Sequence, residues 1–187
     1  MTDTPLTTLE IEPAGAARAS VIWMHGLGAD ARDFEPIVPE LRLSAELGVR
    51  FVFPNAPIRP VTVNGGMRMR AWYDVLTMDL PRREDPDGVY ASERAINALL
   101  EREKQRGVPV DRIVLAGFSQ GGAMALHTGL RLPHTLAGLM ALSGYLPLAD
   151  TLAAERHPAN AHTPIFMAHG TQDPVVLPVR GEATRQL

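Results

Sequence analysis

Five consecutive residues, Gly117-Phe118-Ser119-Gln120-Gly121, carry the sharpest chemical signal in this 187-residue sequence. A Gly-x-Ser-x-Gly pattern is informative when a strand leads into it and a helix leaves it. Ile113-Val-Leu-Ala116 reads as a buried strand and Gln120 to Leu130 as a helix rich in small residues. A serine on so sharp a turn projects its hydroxyl above the sheet as a candidate nucleophile. Side chains two positions before and after it would collide, which accounts for Gly117 and Gly121. The helix beginning there also aims unpaired backbone N–H groups at the same point.

Two other segments complement it. His25-Gly26-Leu27-Gly28 follows an early strand. A loop of this kind supplies a backbone N–H to an oxyanion hole, so the candidate donors are the N–H groups of Leu27 and Gln120. The place of His25, at a strand end before glycine, favours holding that loop over acting as a base. His169-Gly-Thr-Gln-Asp173-Pro-Val-Val176 follows a late strand. Asp173 stands in the serine-then-acid order, and its task would be to fix the tautomer of a histidine and stabilise the imidazolium.

These segments need a scaffold, and the rest of the sequence describes one. Short apolar runs at Ser20–His25, Val49–Phe53, Ile113–Ala116, Leu136–Leu142 and Ile165–Ala168 read as strands. Their near-continuous apolar character fits burial on both faces. Helical stretches separate them, which predicts a mostly parallel sheet with helices on both faces. The clearest helix is 89–106, with Ile96, Leu99 and Leu100 on one stripe and Gly107 and Pro109 ending it. Residues 32–47 place Phe34, Ile37, Val38, Leu41 and Leu47 at helical spacing, interrupted by Pro36 and Pro39. Pro60–Asn64 and Met67–Arg70 read as a hairpin turning at Asn64-Gly65, either a lid over a site or a cover for a sheet edge. Pro81 to Gly88 reads as a surface loop. The whole of 1–187 is expected to form one domain.

Composition excludes several functions. The net charge is −3, with 18 basic and 21 acidic residues and one lysine, Lys104, so the footprint of a nucleic-acid binder is missing. The sequence contains no cysteine, which rules out a disulfide framework, a thiolate metal site and a cysteine nucleophile. The amino-terminal segment lacks signal-peptide character and no apolar run is long enough to span a bilayer, so a cytoplasmic protein without stable membrane insertion is expected.

The combination resembles the phospholipase/carboxylesterase family of small α/β-hydrolases, which includes the acyl-protein thioesterases. The matching pieces are Trp23-Met-His-Gly-Leu-Gly28, Phe53-Pro-Asn-Ala-Pro57, Ala71-Trp-Tyr-Asp74, Gly117-Phe-Ser-Gln-Gly-Gly122, Leu142-Ser-Gly144 and His169-Gly-Thr-Gln-Asp-Pro-Val-Val176. They keep the family's order across nearly the whole chain. The resemblance implies an α/β-hydrolase fold and hydrolysis of carboxylic esters, thioesters or lysophospholipids, with no metal or organic cofactor. It implies Ser119 as nucleophile, Asp173 as acid, and Leu27 and Gln120 as oxyanion donors. It also implies an apolar acyl site lined by Trp72, with Leu27 and the hairpin's Met67 or Met69. The partner is then a small ester or acyl substrate, and an exposed edge or lid could support a homodimer.

One member of the triad is not legible. The fold's order places the base histidine after Asp173, by resemblance about 30 residues on. All six histidines, His25, His127, His134, His157, His162 and His169, precede it. The expectation is a chain whose last strand, catalytic histidine and closing helix are missing, and whose activity is impaired. His169, four residues from Asp173, is an awkward substitute. The competing reading is a non-catalytic relative that binds an acyl ligand.

Overall fold

The computed structural model describes residues 5–77 and 83–187. The ends of the expected 81–88 loop at Pro81 and Arg82 lie outside the described residues. Six strands form the main sheet: β1 (Thr8–Ile11), β2 (Ala19–Met24), β3 (Val49–Pro54), β6 (Ile113–Phe118), β7 (Gly138–Leu142) and β8 (Ile165–Ala168). Their spatial order is β1-β3-β2-β6-β7-β8. β1 runs antiparallel to β3, and every other pairing in this sheet is parallel. The fold is thus the α/β-hydrolase type that the strand–helix alternation and the motif order predict. β1 is an addition: Thr-Leu-Glu-Ile is too short to announce itself, and pairing with β3 rather than sequence pattern makes it a strand.

Alternate strand residues face opposite ways, so the sheet divides its apolar side chains between two cores. On one face Ile22, Met24, Val52, Ile113, Leu115 and Leu139 pack under α1 (Pro86–Gln105) and α2 (Gln120–Arg131). α1 starts at Pro86, three residues before the expected start, because the Asp85 carboxylate accepts the Gly88 N–H at 3.0 Å and caps the helix. It buries Ile96, Leu99 and Leu100, the stripe read from the sequence, and Val89 as well.

On the second face the covering helices are short 3-10 turns. Trp23, Phe51, Phe53 and Ala116 are covered there by Ala31 and by Phe34 and Val38 of the 32–47 segment. That segment forms three 3-10 turns, Glu35–Ile37, Pro39–Leu41 and Ala45–Leu47, in place of one helix. Proline lacks an N–H and its ring clashes with the carbonyl four residues back, so Pro36 and Pro39 fit only the first turn of a short helix. Left-handed Arg42 (φ 48°) then breaks the run again.

The hairpin forms a separate two-stranded sheet, β4 (Ile58–Val61) with β5 (Met67–Arg70). A 3-10 turn at Thr62–Asn64 and two positive-φ glycines, Gly65 and Gly66, join them. Asp74 secures the turn by accepting from Thr62 N at 2.7 Å and Thr62 Oγ1 at 2.5 Å. Among the described residues, the hairpin pairs with no strand of the main sheet. It docks on the 26–28 loop: the Gly28 N–H donates to the Arg70 carbonyl at 2.9 Å, and Leu27 packs with Val61, Val63 and Met69. Two short helices, α3 (Leu152–Glu155) and α4 (Pro178–Arg185), complete the described structure.

Candidate active site

The end of β6 delivers Ser119 in a backbone conformation, φ 53° and ψ −116°, that L-residues rarely adopt. Two hydrogen bonds hold it there: Ser119 N donates to Leu142 O of β7 at 2.8 Å, and Ala123 N of α2 donates to Ser119 O at 2.9 Å. The flanking glycines are obligatory for a tertiary reason. A Cβ on Gly117 would overlap the Gly121 backbone, and a Cβ on Gly121 would overlap the Met24 and His25 carbonyls of the β2 end. The first turn of α2 therefore sits directly on β2 and β6. Ser119 itself is partly exposed.

The 26–28 loop lies beside it. A Cβ on Gly26 would stand 3.2 Å from the Phe118 ring and 3.6 Å from Ser119 Cβ. The Gly26–Leu27 peptide is thus a close neighbour of the serine. Its conformation is fixed by His25, which is 1% exposed. Nε2 of His25 accepts from Ala56 N at 3.0 Å, and Nδ1 lies 2.7 Å from Gly26 O. Burial holds the imidazole below the ordinary histidine range. The Gly26 carbonyl opposes that shift without cancelling it, and Arg70 adds to it.

Gln120 has a second task that its backbone role does not announce. Its buried side chain accepts from Trp72 N at 2.9 Å and donates to Tyr73 O at 2.7 Å. The Trp72 ring N–H donates to His25 O at 2.9 Å, and the Ser92 hydroxyl bonds to the Trp72 carbonyl. Trp72 has no exposed surface. The expectation that it lines an open apolar site is corrected accordingly: hydrogen bonds from both its backbone and its ring draw it beneath the loop as a support. Met69 is half-buried against Leu27, its sulfur 3.7 Å from where a Cβ on Gly28 would be, whereas Met67 is 64% exposed at the hairpin.

Asp173 occupies the loop after β8. Its Oδ1 accepts from Val175 N at 2.9 Å and Val176 N at 3.0 Å, closing a tight turn before and around Pro174. Burial alone would raise the carboxyl. The Val176 and Val175 N–H groups outweigh it, His169 and the Ser143 hydroxyl add to them, and the net shift is downward. Ser143 had no assigned role in the sequence beyond its motif, yet it ties the site together. It too has positive φ (49°), and its N–H donates to Ala168 O of β8 at 2.7 Å. The Leu142-Ser143 pair therefore holds the Ser119 turn through Leu142 O and the Asp173 loop through Ser143. A serine just past a strand end was the only available signal.

Four of the six histidines are committed elsewhere. His169 Nε2 bonds to Val176 O at 2.7 Å and lies 3.7 Å from Asp173 Oδ2, so it staples its own loop. His127 is buried with Nε2 3.4 Å from Glu93 Oε2, and His157 accepts from Ala159 N at 3.1 Å. With His25 bound to Gly26 and Ala56, none of these four hydrogen-bonds to Ser119. Among the described residues, no group of three His, Asp or Glu side chains could hold a metal ion.

Comparison with known proteins agrees with this arrangement. Residues 8–187 match the phospholipase/carboxylesterase family. Acyl-protein thioesterase 1 of Neurospora crassa is 44% identical over 177 residues, spanning 90% of this chain and 72% of that protein. The Schizosaccharomyces pombe acyl-protein thioesterase 1 is 38% identical over 179 residues, covering 96% and 79%. Among solved structures, Arabidopsis thaliana SOBER1 superposes with a TM-score of 0.84 at 34% identity, covering 89% of this chain and 80% of that one. Zea mays acyl-protein thioesterase 2 gives 0.81 at 30% identity, covering 96% and 82%. A strained serine between two obligatory glycines, a glycine loop beside it, and these relatives place the chain in the phospholipase/carboxylesterase family of α/β-hydrolases, a family of serine hydrolases acting on ester bonds.

Proposed function

We propose that the protein is a serine carboxylesterase that forms an acyl-enzyme on Ser119. The observation that carries this is the strained Ser119 turn lying against the Gly26–Leu27 loop. In the reaction the Ser119 hydroxyl attacks an ester or thioester carbonyl and its proton passes to a histidine oriented by Asp173. The N–H groups of Leu27 and Gln120 stabilise the tetrahedral oxyanion, and water then hydrolyses the acyl-enzyme. Leu27 and Met69 form the apolar wall for the acyl chain, with Met67 at its outer edge. The matched relatives are named as acyl-protein thioesterases, so thioesters are the first substrates to compare with oxygen esters. The substrate is a small acyl compound met in the cytoplasm.

Because none of the four histidines traced above hydrogen-bonds to Ser119, slow turnover is expected of these 187 residues. An oxyanion hole without its base retains a small fraction of activity. Incubation with a fluorophosphonate, followed by peptide mass spectrometry, tests the assignment. Slow labelling confined to Ser119 and lost in Ser119→Ala is expected. Labelling that persists in the variant, or binding of an acyl ligand with no adduct at all, replaces the esterase with a ligand-binding protein.

A further inference from the structure

His25 is a buried titratable group that the mechanism above does not use, and both its ring nitrogens are spoken for. Ala56 N is a donor, so the Nε2 atom it reaches at 3.0 Å must present a lone pair. Gly26 O is an acceptor, so the Nδ1 atom 2.7 Å away must carry the hydrogen. The two partners admit one neutral tautomer. An imidazolium would set an Nε2–H against the Ala56 N–H. The second link is geometric. The Gly26 carbonyl and the Leu27 N–H are the two ends of one planar trans peptide, so a donor that fixes the carbonyl direction also fixes where the N–H points. It polarises that peptide as well, which makes the N–H a better donor.

We propose that His25, as the neutral Nδ1–H tautomer, is a positioning residue that aims the Leu27 N–H into the oxyanion hole, and that protonating it releases the aim. This rests on the esterase reading for its catalytic meaning. The charged groups that act on the ring are Arg70 on β5, and Asp30 and Asp33 in the loop after β2. Arg70 also donates to Ala56 O at 3.0 Å, which keeps the Ala56 segment in register with the ring. From the Trp72 segment the neighbour is the indole, its ring 5.5 Å from the imidazole centroid to centroid. Burial and Arg70 keep the neutral form dominant at pH 7, and acidification below the ordinary histidine range converts it. The consequence is an acid-side loss of transition-state stabilisation that does not depend on the catalytic base.

The test uses the 187-residue protein with 15N-labelled histidine and long-range 1H–15N correlation from pH 8 to pH 4.5. At pH 7 the His25 ring is expected to show a protonated Nδ1 and a bare Nε2. Its midpoint should lie below about 6.5, and the Leu27 and Ala56 amide signals should move with that midpoint. In a parallel arm, fluorophosphonate labelling of Ser119 should slow at least tenfold in His25→Ala, through the bond-forming rate and not through reagent affinity. His25→Asn keeps an N–H donor near the Nδ1 position and should recover part of the rate. A protonated Nε2 at pH 7, a Leu27 amide indifferent to the titration, or His25→Ala labelling at the wild-type rate overturns the proposal. Unreactive wild-type protein with the expected tautomer and the coupled Leu27 signal overturns the esterase reading and leaves the positioning of the peptide by His25 standing.

Discussion

The two halves of the candidate site are held by different physics. Around Ser119, backbone packs on backbone: α2 rests on the ends of β2 and β6 through glycine, and Ile22, Met24 and Leu115 beneath it are fully buried. Around Asp173, β8 is a four-residue edge strand with Ile165 44% and Phe166 59% exposed. The acid loop beyond it is shaped by its own local bonds, Asp173 to Val175 and Val176 and His169 to Val176. Ser119 is therefore positioned by tertiary contact, Asp173 by turn chemistry on a lightly packed edge. A change at the first half should propagate through the core, and one at the second should stay local.

The largest expected contrast is between two glycines. Gly121→Ala forces a methyl into the β2 carbonyls and should cost about 3 kcal/mol or more in urea unfolding. Gly170→Ala meets nothing nearer than Asp173 Cβ at 3.9 Å and should stay within about 0.5 kcal/mol. Equal effects at the two sites would erase the distinction.

Asp173→Asn probes the acid loop on its own. Losing the charged acceptor for two backbone N–H groups should cost about 1–2 kcal/mol. The sign with pH follows from the lowered carboxyl. Its contribution is complete above the unfolded carboxylate range, near 4, and disappears as pH falls through the folded value. Thermal unfolding of the variant should therefore depend less on pH in that acid window than the wild type, and parallel curves would contradict the account.

Glu155, which ties α3 to α1 and α2, gives a second acid signature. Burial opposes its ionisation, but donation from Thr151, Tyr90 and Arg131 outweighs it and brings the carboxyl down to about 2. The stability it adds is present above about pH 4.3 and fades as pH approaches 2. In Glu155→Gln the wild-type fall in Tm across that interval should shrink.

The smallest stability change belongs to Phe166→Lys. Its ring is mostly in solvent, so unfolding should shift by no more than about 0.5 kcal/mol. Self-association measured by light scattering should nonetheless fall, since a charge on an exposed edge strand discourages strand pairing. Unchanged association would show that the β8 edge is not the sticky part of this chain.

The legibility of the chain follows the same division. The strand before Ser119, the helix after it and the stripe on α1 depend on local pattern, and the sequence displays all three. The alternation of apolar runs with helical stretches along the chain is enough to anticipate a mostly parallel sheet. In residues 32–47 the helical spacing is a statement about faces only, and the two prolines that interrupt it remove the hydrogen bonds a continuous helix needs, so short 3-10 turns form. β1 escaped because an edge strand of four residues is defined by its partner β3.

For the site, the residue types were decided by sequence. Only glycine fits at 117 and 121, and a serine between them at the head of a helix is the candidate nucleophile. The supporting shell was decided by tertiary structure. That Gln120 clamps the Trp72 segment, that Trp72 is a buried support, and that Ser143 links β7 to the acid loop all join residues far apart in the chain. The tautomer of His25 is the sharpest case. The sequence places the imidazole beside Gly26, but which nitrogen holds the proton is set by the Ala56 N–H, brought there from 31 positions away by the folding of β3 against β2. Hydrogen-bond direction is a property of three-dimensional neighbours, and no one-dimensional pattern encodes it.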